Sequence, residues 1–381
     1  MPGAEATPPL DPGGRTSLDL LVSEATRQLT VCNACRYCEG LCAVFPALER
    51  RRVLEGSDIS QLANLCHDCR ACFDACMYDA PHEFAIDVPK ALAAVRVLDY
   101  DRYVWPTRVP RLLRGWTGLV LAAVGSALLL LAVAVAYSGW PALVTAHPAA
   151  ASPYDLVPYP ALLAIMLAAG VYAVAVMFVA GRRFWSEVNT GKPPISARAV
   201  GQAIWYAATL RYLRGGGVDC YYPEDDKPSP VRRWLHSLLA YGFALCLVST
   251  IAAGIEQDIL GIDPPYSWLS VPVLAGTIGG FGLVLGGGGL IYLKSKSSTV
   301  TSVAAMTVKD YGLLAALTFL GASGLATLFT RETSAYGIVL LIHLAAVIQA
   351  FAMAPYSKFI HVIFRFEALV RDNVERSSNA K

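Results

Sequence analysis

Two cysteine runs between residues 32 and 76 constrain the fold of this chain more than any other feature. Each run has the spacing C-x2-C-x2-C-x3-C, and together they hold eight of the ten cysteines. The first run consists of Cys32, Cys35, Cys38 and Cys42, and the second consists of Cys66, Cys69, Cys72 and Cys76. Such a doubled spacing is typical of a domain that binds two [4Fe–4S] clusters.

The fourth cysteine of each run is expected to serve the other cluster. Three closely spaced thiolates wrap one corner of a cubane, and in two-cluster ferredoxins the remaining ligand comes from the other run. The spacing therefore predicts a first cluster and a second cluster with exchanged ligands. The first is on Cys32, Cys35, Cys38 and Cys76, and the second is on Cys66, Cys69, Cys72 and Cys42.

Zinc and disulfide bonds are the alternatives for a pattern of this kind. Zinc sites usually pair two C-x2-C knuckles, or one knuckle with two histidines, which leaves the third cysteine of each run unexplained. Disulfides form in oxidising compartments, and residues 1–30 lack the apolar core of a secretory signal. We therefore expect two clusters.

The apolar composition of the chain indicates a membrane domain. Hydrophobic residues make up 55% of the sequence and charged residues 16%, whereas soluble chains carry about a quarter charged residues. A buried core helix is the alternative for one long apolar segment, but six such segments follow the cysteines. Each is long enough to cross ~30 Å of hydrocarbon: residues 112–137, 159–180, 234–255, 269–293, 311–330 and 335–364.

The distribution of Lys and Arg predicts the topology of these spans. Nine basic residues lie in 181–233, three in 294–310 and four after 364, and none lies in 138–158 or 256–268. Positively charged loops stay on the cytoplasmic side. The pattern predicts a multi-pass protein of the cell inner (cytoplasmic) membrane with both termini cytoplasmic, and it fits topology better than nucleic-acid binding.

Histidines inside the predicted spans indicate a haem. Facing helices hold a b-type haem with paired imidazoles, one on each side of the iron. His343 and His361 are 18 residues apart in the sixth span, and a continuous helix would separate them by ~27 Å. His236 opens the third span, which is antiparallel to the sixth, so it is level with His361. His236 and His361 are the predicted haem-iron ligands.

His343 is left without a clear partner, because Cys246 rather than a histidine stands ten residues after His236. Three readings of His343 stay open: a helix–helix hydrogen bond, a quinone site, or a second haem with an unusual ligand. Cys246 is expected to be a small buried apolar residue. The sequence predicts one haem b and leaves a second one open.

These patterns predict an all-α chain. A helical, two-cluster ferredoxin-like domain is expected at residues 17–110, after a disordered Pro/Gly-rich start at 1–16. Between the cysteine runs we expect two helices, with Ser57 or Asp58 capping the second. A six-helix transmembrane haem-b bundle is expected at 111–366, with a long loop at 181–233 that contains a helix from residue 196 onward. A cytoplasmic tail follows at 367–381.

Two family resemblances agree with this organisation. The segment HLAAVIQAFAMAPYSKFIH is similar to the last helix of the haem-b gamma subunit of respiratory nitrate reductase, which has a P-[FY]-S-[RK]-x-x-H block. That family has two further histidine ligands ten residues apart on an earlier helix. His236 matches the first of them, and Cys246 stands at the second.

The second resemblance covers residues 25–370. ACRYCEGLCAVFPALE, LANLCHDCRACFDACMYDAPHEFAIDVPKALA and the six-span region resemble the tricarballylate/citrate utilization protein B family. The resemblance implies a membrane protein with iron–sulfur clusters and haem. Such a protein would reoxidise the flavin of a partner dehydrogenase that acts on tricarballylate or a citrate-type acid, and it would reduce quinone.

The expected function is therefore that of an electron-transfer subunit rather than a stand-alone catalyst. Its partners would be a cytoplasmic flavin-dependent dehydrogenase, the membrane and quinone, with no nucleic acid. The alternative is a cluster-based redox sensor or assembly protein without electron through-flow. An enzyme like the membrane-anchored heterodisulfide reductases is disfavoured, because the chain has no nucleophile–base constellation and no flavin-binding glycine motif.

Overall fold

The computed structural model describes residues 17–112, 116–145, 152–191, 193–213 and 229–379. The start at 1–16, for which disorder is expected, lies outside the described residues. Regular structure in the described part of the chain consists of helices and short 3-10 turns. The all-α prediction is confirmed.

Five helices form the cysteine domain: α1 Ser17–Cys35, α2 Val44–Glu49, α3 Gly56–Leu65, α4 Ala71–Asp74 and α5 Val88–Arg102. The cap of α3 differs from expectation. Glu55 is the N-cap residue, and the Asp58 side chain accepts a hydrogen bond of 3.2 Å from the backbone N–H of Glu55. This reciprocal arrangement satisfies donors that the first turn of a helix leaves unpaired.

The remaining helices form the membrane bundle and its connections. They are α6 Val109–Leu112, α7 Trp116–Val144, α8 Tyr159–Val188, α9 Ala197–Ala208, α10 Val231–Asp258, α11 Val271–Lys296, α12 Ala304–Thr330, α13 Tyr336–Met353 and α14 His361–Asn379. Within the described residues, six helices are long and apolar enough to cross a membrane, namely α7, α8 and α10 to α13. The predicted number of spans is confirmed.

The sixth span ends earlier than the sequence predicts. Helix α13 stops at Met353, two 3-10 turns follow, and α14 begins at His361. Pro355 lies in the first turn, where its ring and missing N–H prevent a continuous helix. The expectation that His343 and His361 share one straight helix is therefore wrong, and the ~27 Å separation derived from it does not apply.

Helices α9 and α14 complete the core of the cysteine domain. Ala199 and Ala203 of α9 and Ala368 and Leu369 of α14 pack in the same buried cluster as α1, α3 and α5. The Ser196 side chain caps α9, as it accepts a hydrogen bond of 3.2 Å from the Ala199 N–H. The helix expected in the 181–233 loop therefore lies against the cysteine domain.

An aromatic cluster connects the cysteine domain to the membrane bundle. Phe184 near the end of α8 stacks on Phe364 of α14 with ring centroids 4.8 Å apart, and Tyr103 meets both rings edge-on. Aromatic pairs of this kind contribute about 0.5–1.5 kcal/mol beyond burial. The cysteine domain is thus fixed on the end of the bundle where α8 ends and α14 begins.

Candidate metal centres

Five cysteines from both runs line one pocket, and four of them belong to the predicted first set. Cys32 and Cys35 lie in the last turn of α1, Cys38 follows in a turn, and Cys76 comes just after α4. They border a cavity of about 30 Å³ together with Tyr37, Phe45, Met77 and other side chains. These four cysteines are the predicted ligands of the first cluster, and Cys72, which is predicted for the second cluster, lines the same pocket.

The electrostatics of these thiols agree with a shared site. Burial, with added repulsion from the Cys38, Cys76 and Cys35 thiolates, raises the pKa of Cys32 to about 12. Without a bound cation the Cys32 thiol therefore holds its proton at neutral pH. A metal cluster supplies the positive charge that turns such thiols into ligands.

The second set is Cys42, Cys66, Cys69 and Cys72, and it lies deeper. Burial and the neighbouring Cys66 thiolate raise the pKa of Cys42 to about 12. Cys72 has a pKa raised by burial and then by Cys42 and Cys66. Cys69 is 7% exposed and packs with Leu235 of α10 and Leu293 of α11. The second set therefore faces the membrane bundle.

Backbone geometry around the cysteines supports ligand loops. Arg36, Asp68 and Arg70 lie between cysteines and have φ of 58°, 57° and 63°. The left-handed conformation costs a non-glycine residue roughly 1–2 kcal/mol, and such strain concentrates at ligand sites. The Sγ atoms of Cys42 and Cys76 each accept a backbone N–H at 3.4 Å, from Val44 and Tyr78. Hydrogen bonds of this type are among the features that tune iron–sulfur clusters.

The spacing of the thiols in space bears on the kind of metal centre they could hold. Among the described residues, no three or more His, Cys, Asp or Glu side chains converge on one metal-ion position. In a cubane each thiolate binds a different iron, so the four sulfurs stand apart around a cavity. The first set has that form, since its four cysteines surround a pocket. The residues present fit the predicted groups.

Arginine side chains join the second cysteine loop to the bundle. Arg232, in the first turn of α10, donates hydrogen bonds of 2.6 Å to the Asp68 carbonyl and 3.2 Å to the His67 carbonyl. In return, Arg70 donates to the Ser298 carbonyl at 2.8 Å and to the Ser302 hydroxyl at 3.3 Å, in the α11–α12 connection. The second cysteine loop is therefore held by hydrogen bonds to α10 and to the α11–α12 connection.

His236 and His361 lie near each other at this junction. His236 is one turn after Arg232 on α10, and its charge interacts with those of His361 and Arg365. His361 Nδ1 lies 2.6 Å from the Lys358 carbonyl, which only accepts hydrogen bonds, so Nδ1 is the donor. His361 Nε2 is then the free lone pair, which is the form of imidazole that binds a metal. His236 Nδ1 is buried without a hydrogen-bond partner.

Glycines of α11 set the position of α10 near His236. A Cβ on Gly286 would lie 2.5 Å from the Leu239 nitrogen and 2.7 Å from the Leu235 oxygen. The two backbones therefore touch directly, in the manner of small-residue helix contacts in membranes. The close packing of α10 against α11 explains why glycine stands at position 286.

A buried carboxylate holds the turn that carries His361. Asp310 of α12 accepts a hydrogen bond from Lys294 Nζ at 2.6 Å and a second one from Lys358. The sequence gives no local signal for this contact, because Asp310 and Lys358 are 48 residues apart. The ion pairs fix Lys358, whose carbonyl receives the His361 N–H.

His343 has a different environment. Its Nδ1 lies 3.1 Å from the Ser323 hydroxyl of α12, and its ring packs where a Cβ on Gly324 would come within 3.0 Å of Cε1. This is the helix–helix hydrogen bond that the sequence left open as one reading. His343 and Cys246 also line a cavity of about 1630 Å³, which is bordered mainly by α10 to α13 and also by side chains of α1, α5, α7 and α8.

Comparisons with known proteins agree with the division of the chain. A sequence model of citrate utilization protein B matches residues 111–381, and one of the citrate utilization protein B Fer4-like domain matches residues 25–102. The Escherichia coli protein named citrate utilization protein B is 38% identical over 357 residues, which is 93% of this chain and 92% of that protein. No solved structure matches. The predicted family resemblance is confirmed.

Proposed function

Because the chain belongs to the citrate utilization protein B family, we propose that it is a membrane-bound iron–sulfur electron-transfer protein of citrate or tricarballylate utilization. Electrons would enter from the reduced flavin of a cytoplasmic dehydrogenase and leave to quinone. The observation that carries this proposal is the order of the sites. The first cysteine set contains the exposed Cys35, the second set contains the buried Cys69, which packs on α10 and α11, and the histidine pair lies on α10 and α14.

The entry side is the first cysteine set. Cys35 is exposed, and Tyr37 and Met77 at the rim of the same pocket are 66% and 59% exposed. A soluble donor can therefore approach this cluster closely. Reduced flavin releases two electrons, whereas clusters and haem carry one electron each. Two clusters in series would accept the two flavin electrons one at a time.

On the membrane side of the electron path lies the histidine pair. We propose that Cys32, Cys35, Cys38 and Cys76 bind the first cluster, that Cys66, Cys69, Cys72 and Cys42 bind the second, and that His236 and His361 bind haem b. A b-type haem would supply one-electron transfer within the bundle. Leu235 packs against the apolar group that contains Cys69, and it precedes His236 in α10. This contact supports electron transfer from the second cluster to the haem.

The cavity among α10 to α13 is the proposed quinone site. Most of its lining is apolar, and His343 and Tyr356 are among its polar side chains. A largely apolar pocket with few polar groups is typical of a lipophilic ligand site. Two electrons and two protons would convert quinone to quinol there.

Topology supports a cytoplasmic donor. The cysteine domain contacts the bundle at the start of α10 and at the α11–α12 connection, the end that carries the basic loops. By the charge distribution of the loops, this end and both termini are cytoplasmic in an inner-membrane protein.

The test uses the purified full chain in detergent. Iron and haem are quantified, and optical spectra are recorded before and after dithionite reduction. We expect about eight non-haem irons and one b-type haem, which His236→Ala and His361→Ala should each abolish while His343→Ala retains it. Electron donation from a reduced flavin to a soluble quinone analogue should require the haem.

The outcomes separate the candidate functions. A protein with clusters but without haem, or one that reduces no quinone analogue, would exclude the electron-transfer function. It would favour the cluster-based sensor or assembly protein. Two haems per chain, with one lost in His343→Ala, would reassign His343 as a ligand.

A further inference from the structure

The cavity proposed for quinone has charged side chains at both of its ends. One end lies against the cysteine domain, where Asp101 of α5 and Lys309 of α12 line it. The other end is bordered by Arg331, which directly follows α12. Lys309 and Arg331 are 22 residues apart, which corresponds to about 33 Å along a helix axis. A single quinone head group can therefore occupy only one of the two ends.

Lys309 and Asp101 form an ion pair at the first of these ends. Lys309 Nζ donates a hydrogen bond of 2.9 Å to Asp101 Oδ1, and the two side chains are 16% and 13% exposed. Lys309 Nζ also donates to the Tyr356 carbonyl at 3.3 Å. An ammonium group has three N–H donors. The two hydrogen bonds to described residues therefore leave one N–H of Lys309 for a ligand oxygen in the cavity.

The turn that carries Tyr356 is itself held in place. Tyr356 is buried, and its hydroxyl donates a hydrogen bond of 3.0 Å to the Trp105 carbonyl. Because this hydroxyl has only one proton, it accepts the proton of Tyr172 in their shared contact. These contacts join α8, α12 and the turn after α13 around Lys309. A donor that is fixed before the ligand arrives loses little freedom when the ligand binds.

This part of the cavity adjoins the elements that carry the predicted haem ligands. Phe243 and Phe359 line the cavity, and their ring centroids are 5.2 Å apart. Phe359 lies two residues before His361, and Phe243 follows His236 by seven residues, which is about two helical turns. A head group beside Lys309 is therefore placed for electron transfer from the histidine pair.

Arg331 has a structural role at the other end of the cavity. Its guanidinium group lies 3.8 Å from the ring centroid of Trp268, an arrangement that favours a cation–π interaction. It also donates to the Tyr266 carbonyl at 3.5 Å. Both partners belong to the α10–α11 loop, so Arg331 connects that loop to the end of α12.

We infer that the quinone head group binds at the cysteine-domain end of the cavity, where Lys309 donates a hydrogen bond to one of its carbonyl oxygens. This inference rests on the proposed electron-transfer function and assigns the side from which the protons come. Asp101 belongs to the cysteine domain, and Trp105 beside it is exposed, so cytoplasmic water reaches this end. Electrons and protons then enter the quinone site from the same side of the membrane.

The reduction of quinone balances with these groups. Two electrons arrive one at a time by way of the histidine pair, and two protons are taken up, so that each carbonyl oxygen of the quinone becomes a hydroxyl. Lys309 gives a proton to the oxygen that it binds, and Asp101 takes a proton from water and returns it to Lys309. Water supplies the proton for the other oxygen.

The test measures quinone binding and turnover in the detergent-solubilised full chain, with decylubiquinone and menadione as probes. Calorimetric titration of the oxidised protein gives the dissociation constant without any electron donor, and turnover uses reduced flavin. Lys309→Gln removes the ammonium group, and Lys309→Arg keeps its charge. Lys296→Gln is the matched control, because Lys296 is an exposed lysine at the end of α11 and lies outside the cavity lining.

We expect Lys309→Gln to raise the dissociation constant and the KM for quinone about tenfold, which corresponds to the loss of one hydrogen bond from a charged donor. Its haem content should stay normal. Lys309→Arg should recover part of the affinity, and Lys296→Gln should match the wild type. Asp101→Asn should lower kcat more than it raises KM, because it slows the return of a proton to Lys309.

The side of proton uptake is measured in vesicles that carry the full chain with its cysteine domain outside. Reduced flavin is added outside, and a pH indicator is trapped in the lumen. We expect the lumen pH to stay constant while quinone is reduced faster than in protein-free vesicles. A lumen that turns alkaline would show proton uptake from the opposite side and would overturn the inference.

Arg331→Gln distinguishes the two ends of the cavity. The inference fails if Lys309→Gln binds quinone as tightly as the wild type, or if Arg331→Gln weakens binding instead, and in both cases a wild type that reduces quinone leaves the proposed function intact. If Lys309→Gln does not fold, weaker binding by Lys309→Arg than by Arg331→Gln supports the inference, and the reverse order overturns it. A wild-type protein that neither binds nor reduces the probes contradicts the proposed function itself.

Discussion

Arg232 donates a 2.6 Å hydrogen bond to the backbone carbonyl of Asp68. The bond joins the loop that carries Cys66 and Cys69 to the helix that carries His236. A hydrogen bond from a charged donor to a carbonyl contributes about 1.5–3 kcal/mol. The candidate cluster site and the candidate haem site are therefore parts of one rigid junction rather than of two independently placed domains.

The exchange of the fourth cysteines is testable by paired substitutions. If Cys76 binds the first cluster, Cys76→Ser and Cys32→Ser should remove the same paramagnetic signal. Cys42→Ser and Cys66→Ser should remove the other one. In each variant the iron content should fall from about eight to about four atoms per chain, as measured by iron analysis and electron paramagnetic resonance.

Cys246→Ser is the matched control for this series, because Cys246 lies in α10 away from both sets. It should keep both signals. A Cys76→Ser protein that loses the same signal as Cys66→Ser would show that each run binds its own cluster.

The glycine contact between α10 and α11 predicts a contrast between two alanine substitutions on one helix. A Cβ at Gly286 meets the α10 backbone at 2.5 Å, whereas a Cβ at Gly288 has nothing within 4 Å. Gly286→Ala should lower the free energy of unfolding by about 1–3 kcal/mol and disturb the haem absorbance, because α10 carries His236. Thermal unfolding in detergent and the optical spectrum measure both effects.

Gly288→Ala controls for helix propensity in the same experiment. Since its methyl group enters open space, we expect unchanged stability or a gain of up to about 1 kcal/mol. Equal effects of the two substitutions would contradict the direct contact between the two helices.

Local patterns in the sequence predict much of this architecture. The lengths of the apolar segments predict six spans, and the cysteine spacing predicts four of the five cysteines that line the first pocket. The prediction of one continuous span at 335–364 overlooks the break at Pro355, because apolar residues on both sides of it give a high average hydropathy. The residues A-P-Y-S within that segment are the signal that locates the break.

Contacts between distant residues lie beyond such patterns. Arg232 and Asp68 are 164 residues apart, and Lys358 and Asp310 are 48 residues apart. No periodicity links such pairs, so a single sequence identifies them only as charged residues near apolar segments. The contact of Arg232 with Asp68 and the position of Asp310 become visible only in the folded structure.

Asp310 provides a third prediction. It is buried and pairs with Lys294 and Lys358, so Asp310→Asn leaves two ammonium groups without their carboxylate. Breaking a buried ion pair costs about 3–5 kcal/mol. The turn that holds His361 should loosen, and both the unfolding temperature and the haem content should fall.

Asp101→Asn is the comparison for Asp310→Asn. Asp101 pairs with Lys309 at 2.9 Å, and Lys309 donates a 3.3 Å hydrogen bond to the Tyr356 carbonyl, whereas the ion pair of Lys358 is with Asp310 and stays in place. We expect a smaller loss of stability and normal haem content. Haem loss in Asp101→Asn equal to that in Asp310→Asn would show that haem binding does not depend specifically on the ion pair that holds the Lys358 turn.

Glu367 of α14 predicts a pH dependence of stability. Burial raises the pKa of this carboxyl from 4.5 to about 8, and its Oε2 has no hydrogen-bond partner. Between those two pH values the folded chain keeps a proton that the unfolded chain has released. Stability therefore falls as pH rises through this window, and below it the group contributes no difference.

Glu367→Gln removes the ionisable group while keeping its shape. The variant should match the wild type near pH 4 and exceed it at pH 8.5 by a few kcal/mol, since each pKa unit between the unfolded and folded values contributes about 1.4 kcal/mol. Melting temperatures of both proteins across this range measure the difference. The exposed Glu83 supplies the control, since Glu83→Gln should leave the difference flat with pH. A flat difference for Glu367→Gln as well would mean that the carboxyl finds water or a cation in the folded protein.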